Sequence, residues 1–216
     1  SEDPLRVFRV ARFYATLSKY NFTIHESTFE AMKQIVDSGE IETLSRERLW
    51  VELSKSFDAK YAWMFFEALI LSNAAEKYFP EIINNDLLKR KITHFSKIDI
   101  DKDIFLSIVG FSLNFIDFFG FPKKITDLYF IFNEFCAKFL SLKLDDKDIL
   151  YFLNSLDAFR RPERLQVFLT QVKYFISFHE MRESNKLNIF DSLHQSIVGK
   201  IDYGDLKNKD IKDIKK

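Results

Sequence analysis

"EDPLRVFRVARFYATL", residues 2–17, decides how the rest of the chain is read. On a helical wheel Arg6, Arg9 and Arg12 fall within an arc of about 120°, Glu2 lies inside it, and Asp3 points roughly 60° to one side of Arg6. Leu5, Val7, Phe8, Val10, Ala11, Phe13, Tyr14 and Leu17 fill the remainder. The helix is apolar nearly all round, the pattern of a buried one. A buried guanidinium needs an anion. Glu2 and Arg6 make one i,i+4 pair. Arg9 and Arg12 need another partner: acids elsewhere in the chain, with Glu40, Glu47 and Glu52 as candidates, or a ligand carrying phosphates or bases.

Helical patterning continues outward from this stretch. Gly39 follows "FEAMKQIVDSG", where Phe29, Met32, Ile35 and Val36 share a face. Ser45 can cap "RERLWVELSKSF", in which Arg48 and Glu52 are spaced as an i,i+4 pair. "AWMFFEALILSNA" reads as a buried helix, and Pro80 closes the segment after it. Pro4, Pro122 and Pro162 stand at helix starts, where the missing N–H costs nothing. The last two open "PKKITDLYFIFNEFCAKFLSL" and "RPERLQVFLTQVKYFISF", both long and amphipathic. Strand alternation is confined to "KIDIDKDI". "YGDLKNKDIKDIKK" again has helical periodicity.

The 216 residues are enough for one large domain or two small ones. With 47% apolar and 30% charged residues the chain is expected to fold and to be soluble. A formal net charge of zero does not announce a basic nucleic-acid binder, but leaves room for a local basic face. Cys136 stands alone, so neither a disulfide framework nor a cysteine zinc site is available, and a reducing cytoplasm is expected. No apolar run is long enough to span a bilayer, and with charged residues first no signal peptide is expected. The 25 phenylalanines are read as core filling.

"EDPLRVFRVARF" resembles the start of the neck in bacterial class II tRNA nucleotidyltransferases, the CCA-adding enzymes and their poly(A) polymerase relatives. It carries the E-D-x-x-R motif at Glu2, Asp3 and Arg6, and an R-x-x-R-F helix at Arg9, Arg12 and Phe13. The "L-[ST]-x-E-R" helix start follows at Leu44, Ser45, Glu47 and Arg48. "FFEALILSNAAEKYFPEI" is similar to a segment that ends at Phe-Pro-Glu, and "LDAFRRPERLQVFL" to the "LDAWRRPxR" stretch of the enterobacterial-type subgroup. The likeness is dense over residues 1–81 and thins to about residue 170.

The resemblance implies an all-α chain, an elongated multi-helix array without the family's catalytic α/β head. Residues 1–57 would be the nucleotide-selecting neck, 58–162 a helical body, and 163–216 part of an RNA-contacting tail. The chain would begin where the head ends, and alone it would be inactive. CTP and ATP would be the substrates, Mg2+ would belong to the head, and tRNA and the head of the same chain would be the partners. The alternatives are a poly(A) polymerase region and a stand-alone helical RNA- or protein-binding adaptor.

In the family the motif selects the incoming nucleotide, and the chemistry is simple. Cytosine and adenine each show an amine donor beside a ring-nitrogen acceptor; uracil and guanine reverse that order. A carboxylate only accepts and a guanidinium only donates. The resemblance therefore implies Asp3 and Arg6 as readers of C and A, with Glu2 holding Arg6, and with Arg9 and Arg12 completing the nucleotide-binding strip.

Other motifs carry less. Asp99, Asp101 and Asp103 in "IDIDKD" lack the Gly-Ser context of the family's metal acids and the glycine of a calcium loop. His25, His94, His179 and His194 form neither a His-Asp phosphohydrolase pair nor a H-E-x-x-H helix. Arg160, Arg161 and Arg164 in "FRRPER", with Arg160 and Arg164 read as sharing a helix face, are the foremost RNA-binding candidates. Lys89, Arg90 and Lys91 and the closing lysines follow.

Overall fold

A computed structural model of the chain describes residues 3–110 and 121–200. Among these residues the protein is all-α, with no strand. It divides into two compact units, Ser1–Tyr129 and Phe130–Lys216.

The first unit is built around α1 (Arg6–Leu17). Val7, Phe8, Ala11 and Ala15, spaced at one helical stripe, are buried, while Arg6, Arg9 and Phe13 face out. The near-continuous apolar pattern suggested burial on all sides; only one side is buried, and the arginine strip lies on the other. Pro4 lies in the turn that leads into α1, where Asp3 Oδ1 accepts from the Leu5 N–H at 3.1 Å.

After α2 (Glu26–Asp37) comes Gly39 in the left-handed region, at φ +73°, where a side chain would be strained. Met32 is the one fully buried member of the expected α2 face, with Phe29, Ile35 and Val36 half-buried. Ser45 caps α3 (Arg46–Ser56), as its sequence predicts, accepting from the Arg48 N–H.

α4 (Trp63–Leu71) buries Trp63, Phe65, Phe66, Ala68 and Leu69 and forms, with α3, the floor on which α1 lies. α5 (Ala74–Tyr78) is followed by a 3-10 turn at Pro80–Ile82, and Tyr78 donates to the Ile41 carbonyl. α6 (Asp86–Phe95) and α7 (Lys102–Gly110) complete the described part of this layer. The "KIDIDKDI" stretch is not a strand: it is the loop into α7 and that helix's first three residues, with Asp101 Oδ1 accepting from the N–H groups of Asp103 and Ile104.

α8 (Lys123–Ser141) carries the unit boundary within it. The second unit holds the rest of α8 with α9 (Asp146–Ser155), α10 (Pro162–Phe178) and α11 (Ser184–Lys200). Its core is phenylalanine. Phe139 meets Phe190 at 5.1 Å and Phe168 at 5.6 Å between ring centroids, and Phe152 meets Phe190 at 5.5 Å. Edge-to-face packing of this kind suits the ring quadrupoles. Lys186 is almost wholly buried; its ammonium donates to the Phe139 and Leu140 carbonyls at 3.0 and 2.8 Å and so closes the C-terminal end of α8. Filling the core is thus the main work of the phenylalanines, ten of which are among the most deeply buried side chains.

Candidate functional site

The arginine strip of α1 is organised by two residues of α3. Glu52 is only 5% exposed, and its Oε2 accepts from Arg12 Nε at 2.6 Å. Its other oxygen lies 3.8 Å from Arg9 Nε. Of the three candidate acids, then, Glu52 is the partner that Arg9 and Arg12 find. Arg12 is partly buried, whereas Arg9 is half exposed, so the strip is not the set of buried guanidiniums that the sequence suggested. The Arg12 guanidinium also lies 4.1 Å from the centre of the Phe13 ring.

Arg48, one turn before Glu52, points to Asp3. Its Nη2 donates to Asp3 Oδ2 at 2.8 Å and to Oδ1 at 3.1 Å. The i,i+4 pair expected between Arg48 and Glu52 is therefore absent: each reaches across to α1 or its cap instead of along α3. The Leu5 N–H and, after it, the Arg48 guanidinium hold the Asp3 carboxyl below its ordinary range, so it is an ionised acceptor. Arg6 is exposed at the start of α1, one turn from Asp3. Glu2 lies outside the described residues.

On the core side of α1, Tyr14 faces Glu67 of α4. Burial, and then the Glu67 carboxylate, pushes its phenol above the ordinary range.

The second cluster of interest lies at the entry to α10. Arg160 donates to Asp157 Oδ2 through Nε at 3.1 Å and Nη2 at 2.8 Å, and Arg161 Nε lies 3.5 Å from the same oxygen. Asp157, which sequence reasoning passed over, sits in the left-handed region at φ +60°. Its spacing of three and four residues from the two arginines was the available signal. Arg160 and Arg164 do not share a helix, because α10 begins at Pro162 and Arg160 is in the turn before it. Of the lesser candidates, Lys89 lies 5.7 Å from the Trp63 ring centre, Arg90 is exposed and Lys91 is buried. The closing lysines lie outside the described residues.

The acids of "IDIDKD" do not fit a divalent ion. Asp101 spends its carboxylate on the α7 cap, and Asp103 accepts from Lys124 Nζ at 2.5 Å. Among the described residues no three His, Cys, Asp or Glu side chains converge as a metal site would require. His25 accepts from the Ser27 N–H at the start of α2, and His194 is buried in α11. No helix among the described residues is long and apolar enough to cross a membrane.

Residues 21–85, from the end of the α1 layer through α5, match the family described as the probable RNA and SrmB-binding site of polymerase A. The match lies within the first unit and is to an RNA-binding class of helical module. The CCA-adding enzyme of Pseudomonas putida (strain W619) is 30% identical over 178 residues, 79% of this chain and 48% of the relative. That of Buchnera aphidicola subsp. Cinara cedri (strain Cc) is 30% identical over 208 residues, 87% of this chain and 50% of the relative. The multifunctional CCA protein of Acinetobacter baumannii is 43% identical over 82 residues, 38% of this chain and 20% of the relative. No solved structure matches. The chain spans about half the length of the curated relatives that it matches over most of its own. Over most of its length the chain is similar to a region of CCA-adding enzymes, the family that the E-D-x-x-R resemblance pointed to.

Proposed function

We propose that this chain is the nucleotide-selecting and tRNA-holding helical part of a tRNA nucleotidyltransferase that adds C, C and A to tRNA 3′ ends from CTP and ATP. Residues 1–57 form the selecting neck, 58–162 the body and 163–216 the RNA-contacting tail. The observation that most supports this is the α1 strip: an ionised Asp3 one turn from Arg6, with Arg9 and Arg12 beside them, next to a module matched to RNA binding.

Asp3 accepts the exocyclic amine of cytosine or adenine, and Arg6 donates to the adjacent ring nitrogen. Uracil and guanine would set donor against donor and acceptor against acceptor, leaving a charged group unpaired. Glu2 steadies Arg6, and Arg9 and Arg12 lend positive charge toward the triphosphate. The Arg6 fork is what reads the edge, so lysine is a poor replacement there.

Transfer itself requires acids that hold Mg2+ against the triphosphate. The described residues do not supply them, so that chemistry is assigned to a catalytic head acting with this part, and the helical part alone is expected to add no nucleotide. Arg160, Arg161 and Arg164 contact tRNA phosphates, a sequence-blind and salt-sensitive mode of binding. Cytoplasmic tRNA is the proposed partner, and CCA addition is preferred to poly(A) addition because the relatives carry that name.

The test uses the native full-length polypeptide, a tRNA transcript ending before its CCA, and each triphosphate in turn. Incorporation of C and then A, with U and G rejected, is expected. Incorporation of none, or of long A tracts alone, would contradict the proposal; RNA or protein binding without any incorporation would favour an adaptor.

A further inference from the structure

The second unit holds an apolar groove between two of its helices. Ile149, Leu150 and Leu153 share one side of α9, and Ile189, Leu193 and Ile197 share one side of α11; together they line a cavity of about 650 Å3. Phe159, in the turn before α10, adds its ring to the lining. Leu150 is 52% exposed and Phe159 43%, so the described residues leave both largely uncovered. Two helices that present apolar sides to a common groove make a bed for a third apolar stripe.

α11 leads directly out of this groove. Ile197 is in the lining and Lys200 ends the helix, so residues 201–216, which lie outside the described residues, continue from the groove's edge. In their sequence, "IDYGDLKNKDIKDIKK", Tyr203, Leu206, Ile211 and Ile214 fall within about 140° of one another on a helical wheel. That stripe is interrupted by Lys207 and Asp210, which are spaced to pair with each other, and Lys209, Lys212, Lys215 and Lys216 fall on the other side. The α11 wall from Ile189 to Ile197 is about 12 Å long at about 1.5 Å per residue, and Asp205 to Lys216 would span about 17 Å as a helix, so a segment that turns back at Gly204 is long enough to cover it. Because the segment is joined to α11, its docking is intramolecular and needs less buried surface than the roughly 1,200 Å2 of a stable interface between separate proteins.

We propose that residues 201–216 dock in the α9–α11 groove through Tyr203, Leu206, Ile211 and Ile214, and that docking sets their outward lysines beside Arg160 and Arg161 as one surface for RNA phosphates. Arg160 and Arg161 follow Phe159 directly and are exposed, so a segment that covers Phe159 reaches them. The second clause rests on the reading of the RNA-contacting tail given above; the docking does not.

The experiment compares, in the native full-length polypeptide, the unaltered protein, Leu150→Gln/Phe159→Gln in the groove, and Ile211→Gln/Ile214→Gln in the segment. None of these changes alters charge. The first readout is hydrogen–deuterium exchange of residues 201–216, followed by mass spectrometry and set against a synthetic peptide of the same sequence. Exchange about tenfold or more slower than in the peptide is expected in the unaltered protein, and peptide-like exchange in both variants. The second readout is tRNA binding against salt. Both variants are expected to lower the slope of log K against log salt by about one or more, as loss of a phosphate contact does. Leu150 and Phe159 are half exposed, so the groove pair should fold; should it not, the Ile211→Gln/Ile214→Gln pair carries the comparison.

Peptide-like exchange of residues 201–216 in the unaltered protein would overturn the docking. So would slow exchange that both variants leave unchanged, since the segment would then be held elsewhere. Peptide-like exchange together with a dimer that Leu150→Gln/Phe159→Gln dissolves would overturn it in favour of a second copy in the groove. Lost protection with an unaltered salt slope would overturn the RNA clause and leave the docking standing. A wild-type slope in Arg160→Ala/Arg161→Ala would overturn the reading of those arginines as RNA contacts, and the RNA clause with it.

Discussion

Glu52 and Arg48 sit one turn apart on α3, but substitution should have unequal consequences for stability. Glu52 is buried and accepts from Arg12 at 2.6 Å, so Glu52→Ala leaves a partly buried guanidinium without its carboxylate. A loss of about 2 kcal/mol of unfolding free energy is expected, measurable by urea denaturation. Arg48 and Asp3 are both solvent-facing, and Arg48→Ala should hardly move the same transition. The Leu5 N–H, and then Arg48, lower the Asp3 pKa in the folded state from its ordinary 3.8. The stability this contributes is therefore fully present above about 3.8 and is lost as pH falls through the lower folded value. In a carboxyl-detected NMR titration the Asp3 midpoint should rise in Arg48→Ala yet stay below 3.8, because the first cause, the Leu5 N–H, remains. The sequence showed the arginine strip and named Glu52 among its candidate partners. It could not show that Arg48 reaches Asp3, since the pair is 45 residues apart and only packing of α1 on α3 joins them.

Among the elements, the termini were the most legible feature. Ser45 before α3, Pro162 at the first position of α10 and Gly39 after α2 each mark a boundary by a local cause: a side-chain acceptor, a missing N–H, a left-handed backbone. "KIDIDKDI" alternates as a strand does, yet Asp101 captures two backbone N–H groups and starts a helix, in keeping with the all-α reading. Asp101→Ala should cost about 1 kcal/mol by urea denaturation and should leave nucleotide addition at saturating Mg2+ unchanged, as fits a cap and not a metal ligand. Arg160 and Arg164 were expected to share a helix face, but Pro162 takes the first position of α10 and leaves Arg160 in the turn before it. The C-terminal end of α8 depends on a contact no local pattern encodes. Lys186→Met removes the ammonium that the Phe139 and Leu140 carbonyls share, and about 1–3 kcal/mol should be lost.

For the molecule as a whole, an all-helical core rich in phenylalanine was readable from composition and from the 3.6-residue period. The pairing of helices into two units was not, because periodicity says which side of a helix is buried and not against what. The second unit depends on a few rings: Phe139→Ala, which removes a side chain meeting Phe152, Phe168 and Phe190, should cost about 3–5 kcal/mol and lower the thermal midpoint sharply. At this scale, too, lies the claim that the chain selects nucleotides for addition to tRNA. The most direct test is the ratio of CTP to UTP incorporation into a tRNA transcript lacking its CCA, by the native full-length polypeptide with and without Asp3→Ala. A strong preference for CTP is expected in the unaltered protein, and near-equal use of the two in the variant. An Asp3→Ala protein that still rejects UTP as firmly as the unaltered one would contradict it.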